Sequence, residues 1–144
     1  MNARHIMDKP VLARSVSDFW GRRWNLAFRD VMHEFVFLPL LPIVGGVWAV
    51  IAVFVVSGLI HDAVISFTAS GGWGWPTLYF LIQAGAVLVE RSRFGKRLGL
   101  GRGLIGWLFA SAVIAGPAGL LFHTAFIERV VLPMVQAIQN LQVT

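Results

Sequence analysis

A histidine and an aspartate stand side by side within a long apolar stretch, at His61 and Asp62 in the segment VVSGLIHDAVIS of residues 55–66. Asp62 is the only Asp, Glu, Lys or Arg between Phe35 and Val89. Ionisable side chains held in hydrocarbon usually have a partner, a water-filled cavity or a function. We therefore interpret His61 as the reactive group of a chamber within a membrane. The alternative is a polar pair without function at a helix end.

Two further positions could support the chemistry at His61. Ser57 lies four residues earlier on the same helical face and could hydrogen-bond the ring. Asp62 lies about 100° further round the helix, so it is poorly placed to orient that ring. Asn25 lies on the polar face of an N-terminal helix, where an ordinary solvated residue is the alternative.

The other polar residues of the apolar segments have simpler interpretations. Gln83 is expected to bridge helices, Glu90 and Arg91 to form a pair at the membrane boundary, and His123 to be structural. The chain has no cysteine, and its histidines lack partners at ligand spacing, so no metal site is predicted. Residues 101–106 match G-x-G-x-x-G, but no strand precedes them, so this match is set aside.

The composition indicates an integral membrane protein. The 144 residues are 57% hydrophobic and 13% charged, whereas a soluble domain carries about a quarter charged residues. The net charge of +5 does not indicate a nucleic-acid partner, because the Lys and Arg residues, apart from Arg129, fall in two blocks that flank apolar segments. By the positive-inside rule, the N-terminus and the loop 91–102 are predicted to be cytoplasmic.

The N-terminal region is predicted to lie at the membrane surface. Residues 1–14 are polar and basic and are expected to be poorly ordered. A helix then runs from an N-cap at Ser15 or Ser17 to His33. Its Trp and Phe residues share one face and its Arg residues the opposite face, as in an interfacial amphipathic helix.

About three transmembrane helices are predicted to follow. Pro39 and Pro42 should break the start of the first, leaving a main helix over residues 43–67. The second and third spans are residues 77–89 and 103–127. The fold class is therefore all-α integral membrane, with an interfacial and cytoplasmic segment at 1–34 and a transmembrane domain at 35–144.

Four motifs follow one another along the chain. They are S-x-x-D-F-W-G-R-R-W-N at 15–25, V-V-S-G-L-I-H-D at 55–62, Y-F-L-I-Q-A-G-A-V-L-V-E at 79–90 and F-I-E-R-V-V-L-P at 126–133. In this order they resemble the wax synthase-like branch of the membrane-bound O-acyltransferases. The resemblance covers nearly the whole chain, and the pairing of FWGRRWN with SGLxH some 35 residues later is its most specific part.

The resemblance implies an enzyme that moves an acyl group from acyl-CoA, as co-substrate, onto the hydroxyl of a long-chain alcohol, sterol or other apolar acceptor. The essential histidine of the family matches His61, and its motif asparagine matches Asn25. An imidazole can take the hydroxyl proton as the oxygen attacks the thioester. Asn25 could polarise the thioester carbonyl or orient the acceptor. No other cofactor is implied.

The resemblance and the charge placement together suggest which residues contact substrate. Arg22 and Arg23, with the loop 91–102, are the natural partners for the phosphates of coenzyme A. The remaining candidates for substrate binding are Trp20, Trp24 and Ser57.

The chain departs from the family in length, because family members have eight or more spans. We therefore expect either a fragment or a chain that assembles with itself or with a partner that supplies the missing helices. Membrane lipids are further expected contacts. The alternatives are an enzyme that transfers acetyl or other short acyl groups, and a non-catalytic small membrane subunit. A channel is disfavoured because the spans contain too few polar residues to line a water-filled path.

Overall fold

The structure, a computed structural model, describes residues 6–142 of the chain. These residues form helices joined by short loops and include no strand, so the predicted all-α class is confirmed. In chain order the α-helices are α1 (Val16–Asp18), α2 (Leu26–Met32), α3 (Leu38–His61), α4 (Phe67–Ala69), α5 (Trp75–Arg91), α6 (Arg93–Leu98), α7 (Gly103–Ala115), α8 (Ala118–Leu121), α9 (Thr124–Phe126) and α10 (Leu132–Gln142). Short π-helical segments continue several of them, at Phe19–Arg23, His33–Phe37, Asp62–Ser66 and Ile127–Val131.

Two helices in the described part of the chain are long and apolar enough to cross a membrane. One is Leu26–Ala69, of 44 residues, which joins α2, α3 and α4 and contains a bend. The other is Gly103–Leu121, of 19 residues. Helix α5 has 17 residues and buries Gln83 and Glu90, and it does not reach the length and apolarity of the other two. The sequence-based boundary between residues 34 and 35 lies inside the first of these helices.

The bend in the long helix lies at a glycine and not at the prolines. Pro39 and Pro42 are both accommodated within α3, and the non-helical backbone occurs at Gly45, with φ 79° and ψ 167°. A residue without a Cβ adopts such a conformation at little cost. The prediction that Pro39 and Pro42 break the start of this helix is therefore wrong.

The N-terminal helix is broken in the middle, so the prediction of one helix from Ser15 to His33 is also wrong. Trp24 is extended, and Asn25 is left-handed, with φ 41° and ψ 61°. The predicted start is confirmed, since Ser15 Oγ accepts a hydrogen bond of 2.8 Å from the N–H of Asp18. The break separates the π-helical segment that follows α1 from the start of the long helix.

The segment before α1 is packed against the helices. The indole Nε1 of Trp107 donates to the carbonyl of Val11 over 2.8 Å. A Cβ added at Gly106 would lie 2.3 Å from the carbonyl oxygen of Arg14, so only glycine permits this close approach. Parts of residues 6–14 therefore contact the helices, and residues 1–5 lie outside the described part.

Glu90 connects the end of α5 to the start of α1. Its side chain is 6% exposed, and its Oε2 accepts a hydrogen bond of 2.7 Å from the N–H of Val16. This N–H lies in the first turn of a helix, where the backbone offers no acceptor. The neighbouring Arg91 donates to Ser17 Oγ over 3.3 Å. The predicted pairing of Glu90 with Arg91 is therefore wrong, because both residues instead hold α1.

The core lies where α3 packs against α5 and the first motif. Gly58 allows the closest approach, since a Cβ there would lie 2.9 Å from the Cα of Thr77 and 3.3 Å from the Cβ of Phe80. The buried residues of this core are Val16, Phe54, Tyr79, Phe80, Ala84, Ala86, Val87 and Ala110. The fold therefore places the FWGRRWN segment beside the helix that carries His61.

Candidate active site

A cavity of about 370 Å³ lies between the first motif, α2, α3 and α5. Its lining combines apolar residues such as Phe37 and Val50 with polar residues such as Ser17 and Arg91. Five of the residues predicted from the sequence line this one cavity, namely Trp20, Trp24, Asn25, Ser57 and His61. The structure thus brings together side chains from the two most specific motifs.

The His61 ring lies near two phenyl rings. Its centroid is 5.9 Å from that of Phe28 and 4.5 Å from that of Phe80. Its Nδ1 lies 2.7 Å from the backbone carbonyl oxygen of Ser57. Because a carbonyl can only accept, this hydrogen bond requires the proton on Nδ1 and leaves the lone pair of a neutral ring on Nε2.

Ser57 contacts the ring differently from the way the sequence suggested. Its backbone carbonyl is the partner of the imidazole, while its hydroxyl donates to the carbonyl of Val53 over 2.7 Å. The spacing of four residues predicted that Ser57 and His61 touch, because a helical side chain leans toward the residue one turn before it. The spacing did not predict that the partner is the backbone carbonyl. The hydrogen bond to the Ser57 carbonyl therefore fixes the tautomer of His61 that carries its proton on Nδ1.

Asn25 has a defined structural task as well as a place in the cavity. Its Oδ1 accepts a hydrogen bond of 3.3 Å from the N–H of Phe28 and caps α2. Since a backbone N–H can only donate to the oxygen of the amide, this contact fixes which end is Nδ2. Among the described residues, none accepts a hydrogen bond from Nδ2. Asn25 therefore offers a free donor at the wall of the cavity.

The two arginines of the motif lie outside the cavity wall. Arg23 Nε lies 2.6 Å from Asp18 Oδ2, and its NH1 donates to the carbonyls of Asp8 and Lys9 over 3.3 Å. Arg22 is different, since its side chain is 83% exposed and only its Nε approaches Asp18, at 3.6 Å. Arg23 thus holds the N-terminal segment, whereas Arg22 extends into solvent.

Three basic residues also line the cavity, namely Arg29, His33 and Arg91. Of these, only Arg91, in the loop 91–102, is among the residues that the sequence suggested as substrate contacts. Arg29 lies 3.0 Å from the carboxylate of Asp30. In the sequence, Arg29 and His33 follow Asn25 at intervals of four residues, which puts all three on one helical face. The sequence predicts this face as the polar side of an interfacial helix and not as a cavity wall. No three His, Asp or Glu residues in the described ranges are grouped closely enough to hold a metal ion.

The chain is similar in sequence to known acyltransferases. Residues 3–82 match the model of the membrane bound O-acyl transferase family. A probable long-chain-alcohol O-fatty-acyltransferase 9 of Arabidopsis thaliana is 32% identical over 135 residues, covering 84% of this chain and 39% of the relative. An acyl-CoA–sterol O-acyltransferase 1 of the same plant is 33% identical over 85 residues, covering 54% and 25%. The long-chain-alcohol O-fatty-acyltransferase of Simmondsia chinensis is 28% identical over 103 residues, covering 62% and 29%.

The chain spans about two fifths of the length of the curated relatives that it matches over most of its own length. No solved structure matches it. The family match extends over both FWGRRWN and SGLIHD, the motifs that meet at the cavity. The resemblance drawn from the motifs is confirmed, and the chain belongs to the membrane-bound O-acyltransferase family.

Proposed function

We propose that this chain contributes the catalytic site of an enzyme that transfers a fatty acyl group from acyl-CoA to the hydroxyl of a long-chain alcohol. The observation that carries the proposal is that Asn25 and His61, from separate motifs, line one cavity. The names of the relatives support the acceptor, since most of them describe long-chain-alcohol O-fatty-acyltransferases.

His61 is the proposed general base. With Nδ1 donating to Ser57, the Nε2 lone pair takes the proton of the alcohol as its oxygen attacks the thioester carbonyl carbon. The new C–O bond forms, the C–S bond breaks, and the thiolate of coenzyme A leaves. The imidazolium then returns the proton to that sulfur. General-base assistance of this kind typically contributes about 10²–10⁴-fold to the rate.

Asn25 is proposed to stabilise the negative charge that develops on the thioester oxygen. Its Nδ2 is the free end of an amide whose other end is held by Phe28. A donor fixed in this way needs no reorganisation during the reaction, and removing one such donor from an oxyanion site costs about 10²–10³-fold. The aromatic and aliphatic wall, which includes Trp20 and Trp24, suits the apolar portions of both substrates.

We propose that the chain spans the membrane about three times, with α5 as a span in addition to the two longer apolar helices. The segment around α1 then lies at the cytoplasmic interface. The N-terminus and the loop 91–102 then share the cytoplasmic side with coenzyme A, whose phosphates meet exposed cations such as Arg22. Additional helices, from a longer chain, a second copy or a partner subunit, would complete the chamber, since the relatives are more than twice as long.

The test is acyl transfer from a radiolabelled long-chain acyl-CoA to a fatty alcohol in membranes that contain the 144-residue chain or its His61→Ala variant. We expect ester from the first and none above background from the second, with part of the activity restored to the variant by added imidazole. Parallel reactions with acetyl-CoA and with a sterol define the acyl and acceptor classes. Equal background for both correctly inserted proteins would show that this chain is not active alone.

A thiol-labelling experiment separates the enzyme from a non-catalytic membrane subunit. The chain has no cysteine, so His61→Cys introduces a single thiol. A water-soluble maleimide should label this thiol, and acyl-CoA should protect it, because the cavity is proposed to hold the thioester. A thiol that no water-soluble reagent reaches, with or without acyl-CoA, would favour a lipid-buried structural histidine.

A further inference from the structure

The carboxylate of Asp62 lies at the centre of a small cluster of hydrogen bonds beyond the end of α3. Asp62 is 7% exposed. Its Oδ1 accepts from Ser66 Oγ over 2.7 Å, and both oxygens lie 3.0 Å from the N–H of Gly74. Thr77 Oγ1 donates to Oδ2. One side chain thus joins the long helix to the turn before α5 and to the first turn of α5.

These contacts argue against a chemical role for Asp62 itself. Both carboxylate oxygens already accept hydrogen bonds from fixed groups, and neither Asp62 nor its donors Gly74 and Thr77 line the cavity. Asp62 therefore does not exchange protons with a substrate in the cavity. Its role is therefore to hold the long helix, the turn before α5 and the start of α5 in position.

The element joined by Asp62 carries the ring that packs on His61. Thr77 and Phe80 lie about one turn apart on α5, so fixing Thr77 fixes the position of Phe80. Gly58, one turn before Asp62, gives Thr77 and Phe80 the room to approach α3. Phe80 is 2% exposed, and its ring lies 4.5 Å from that of His61. Asp62 and His61 are adjacent in sequence, but the contacts that connect the carboxylate to the imidazole pass through Thr77 and Phe80 of α5.

The ring of His61 has few other constraints. The hydrogen bond from Nδ1 to Ser57 fixes one edge, and Phe28 lies further away than Phe80, at 5.9 Å. Without Phe80, only this hydrogen bond and the ring of Phe28 would oppose rotation of the imidazole about its Cβ–Cγ bond. A general base displaced by about 1 Å can lose about 10²-fold in rate.

We propose that Asp62, with Gly74 and Thr77, forms a clamp that presses Phe80 against the His61 ring, which makes Asp62 a positioning residue for acyl transfer. The inference rests on the proposed function, since the group positioned is the proposed base. It assigns to Asp62 an effect on kcat without a contact to either substrate.

The first test reads the ring directly and needs no turnover. Protein labelled with ¹³C at histidine Cε1 is reconstituted in nanodiscs, and the His61 signal is identified by its loss in His61→Gln. The ring current of Phe80 shifts this signal, and Phe80→Leu gives its position without that ring. We expect Thr77→Val and Asp62→Asn to move the signal most of the way toward the Phe80→Leu position.

Two controls define what the clamp contributes. Thr77→Ser keeps the hydroxyl and should keep the wild-type signal. Thr68→Val removes an exposed hydroxyl on α4 that donates to Val64 of its own helix, and it should also leave the signal unchanged. A His61 signal at the wild-type position in both Thr77→Val and Asp62→Asn would overturn the proposal, whether or not the chain is active.

The second test measures turnover. Thr77→Val should lower kcat by about 10- to 100-fold and change KM for acyl-CoA less than about twofold, while Thr77→Ser restores most of kcat. A KM increase with unchanged kcat would contradict positioning. If wild-type membranes form no more ester than His61→Ala membranes, this chain is not active alone, and the histidine signals by themselves decide whether the clamp exists.

Discussion

The indole of Trp20 donates a hydrogen bond of 3.2 Å to the side-chain oxygen of Gln83, although the two residues lie 63 positions apart. The amide of Gln83 is completely buried, and its Nε2 donates to the carbonyl of Val113 over 2.9 Å. One side chain in α5 therefore holds both the cavity-lining Trp20 and helix α7. The sequence-based expectation that Gln83 bridges helices is confirmed.

Replacement of this bridge should cost stability. Gln83→Leu leaves the Trp20 N–H and the Val113 carbonyl without partners, and we expect a loss of about 1–3 kcal/mol in the free energy of unfolding. The measurement is denaturant unfolding in detergent micelles. Gln136→Leu, on an exposed position of α10, is the matched control and should change stability by less than about 0.5 kcal/mol. Equal unfolding midpoints for the two variants would contradict the bridge.

Gly58 should tolerate no side chain. A Cβ at this position would lie 2.9 Å from the backbone of Thr77, so Gly58→Ala must push α3 and α5 apart at a cost of about 1–3 kcal/mol. Gly85→Ala is the control, because a Cβ there has nothing within 4 Å. Removing a helical glycine should stabilise by about 0.5–1 kcal/mol. Thermal unfolding followed by circular dichroism should therefore shift in opposite directions for the two alanine variants.

Three substitutions at Asn25 should distinguish its capping of α2 from its proposed hydrogen bond to the thioester oxygen. Asn25→Asp keeps an acceptor for the Phe28 N–H but replaces the amide donor by a second carboxylate oxygen and adds a negative charge. We therefore expect near-native stability with a rate reduced by about 10²–10³-fold. Asn25→Gly keeps the left-handed backbone but loses the cap, and Asn25→Ala loses both, so only the alanine variant should combine inactivity with clearly lower stability. Full activity of Asn25→Asp would exclude the donor role.

The neighbouring arginines should give different phenotypes. Arg22→Ala removes an exposed cation and should raise KM for acyl-CoA by about two- to fivefold, with KM for the alcohol unchanged. Arg23→Ala removes the partner of Asp18 and of two backbone carbonyls, so its main effect should be lower stability and faster proteolysis before residue 16. The measurements are substrate titrations and limited trypsin digestion. An Arg22→Ala variant with unchanged KM for acyl-CoA would rule out its proposed contact with coenzyme A.

The sequence by itself determined the features that depend on local chemistry and on pattern. The scarcity of charge predicted a membrane protein, the Ser15 cap predicted where α1 begins, and the paired motifs around Asn25 and His61 identified the family. The cap follows from residue types at short spacing, which local backbone geometry converts directly into structure. The membrane class follows from composition, and the family from the order and spacing of the motifs.

Only the tertiary structure decided the partners that lie far away in the chain. The sequence paired Glu90 with its neighbour Arg91, whereas its carboxylate accepts from Val16, 74 positions away. Periodicity placed Arg29 and His33 on a polar face but did not say that this face meets a cavity. Helical spacing records which side chains share a face. The surface that this face contacts depends on how helices pack and where the backbone bends, as at Asn25 and Gly45, and no local pattern encodes that choice.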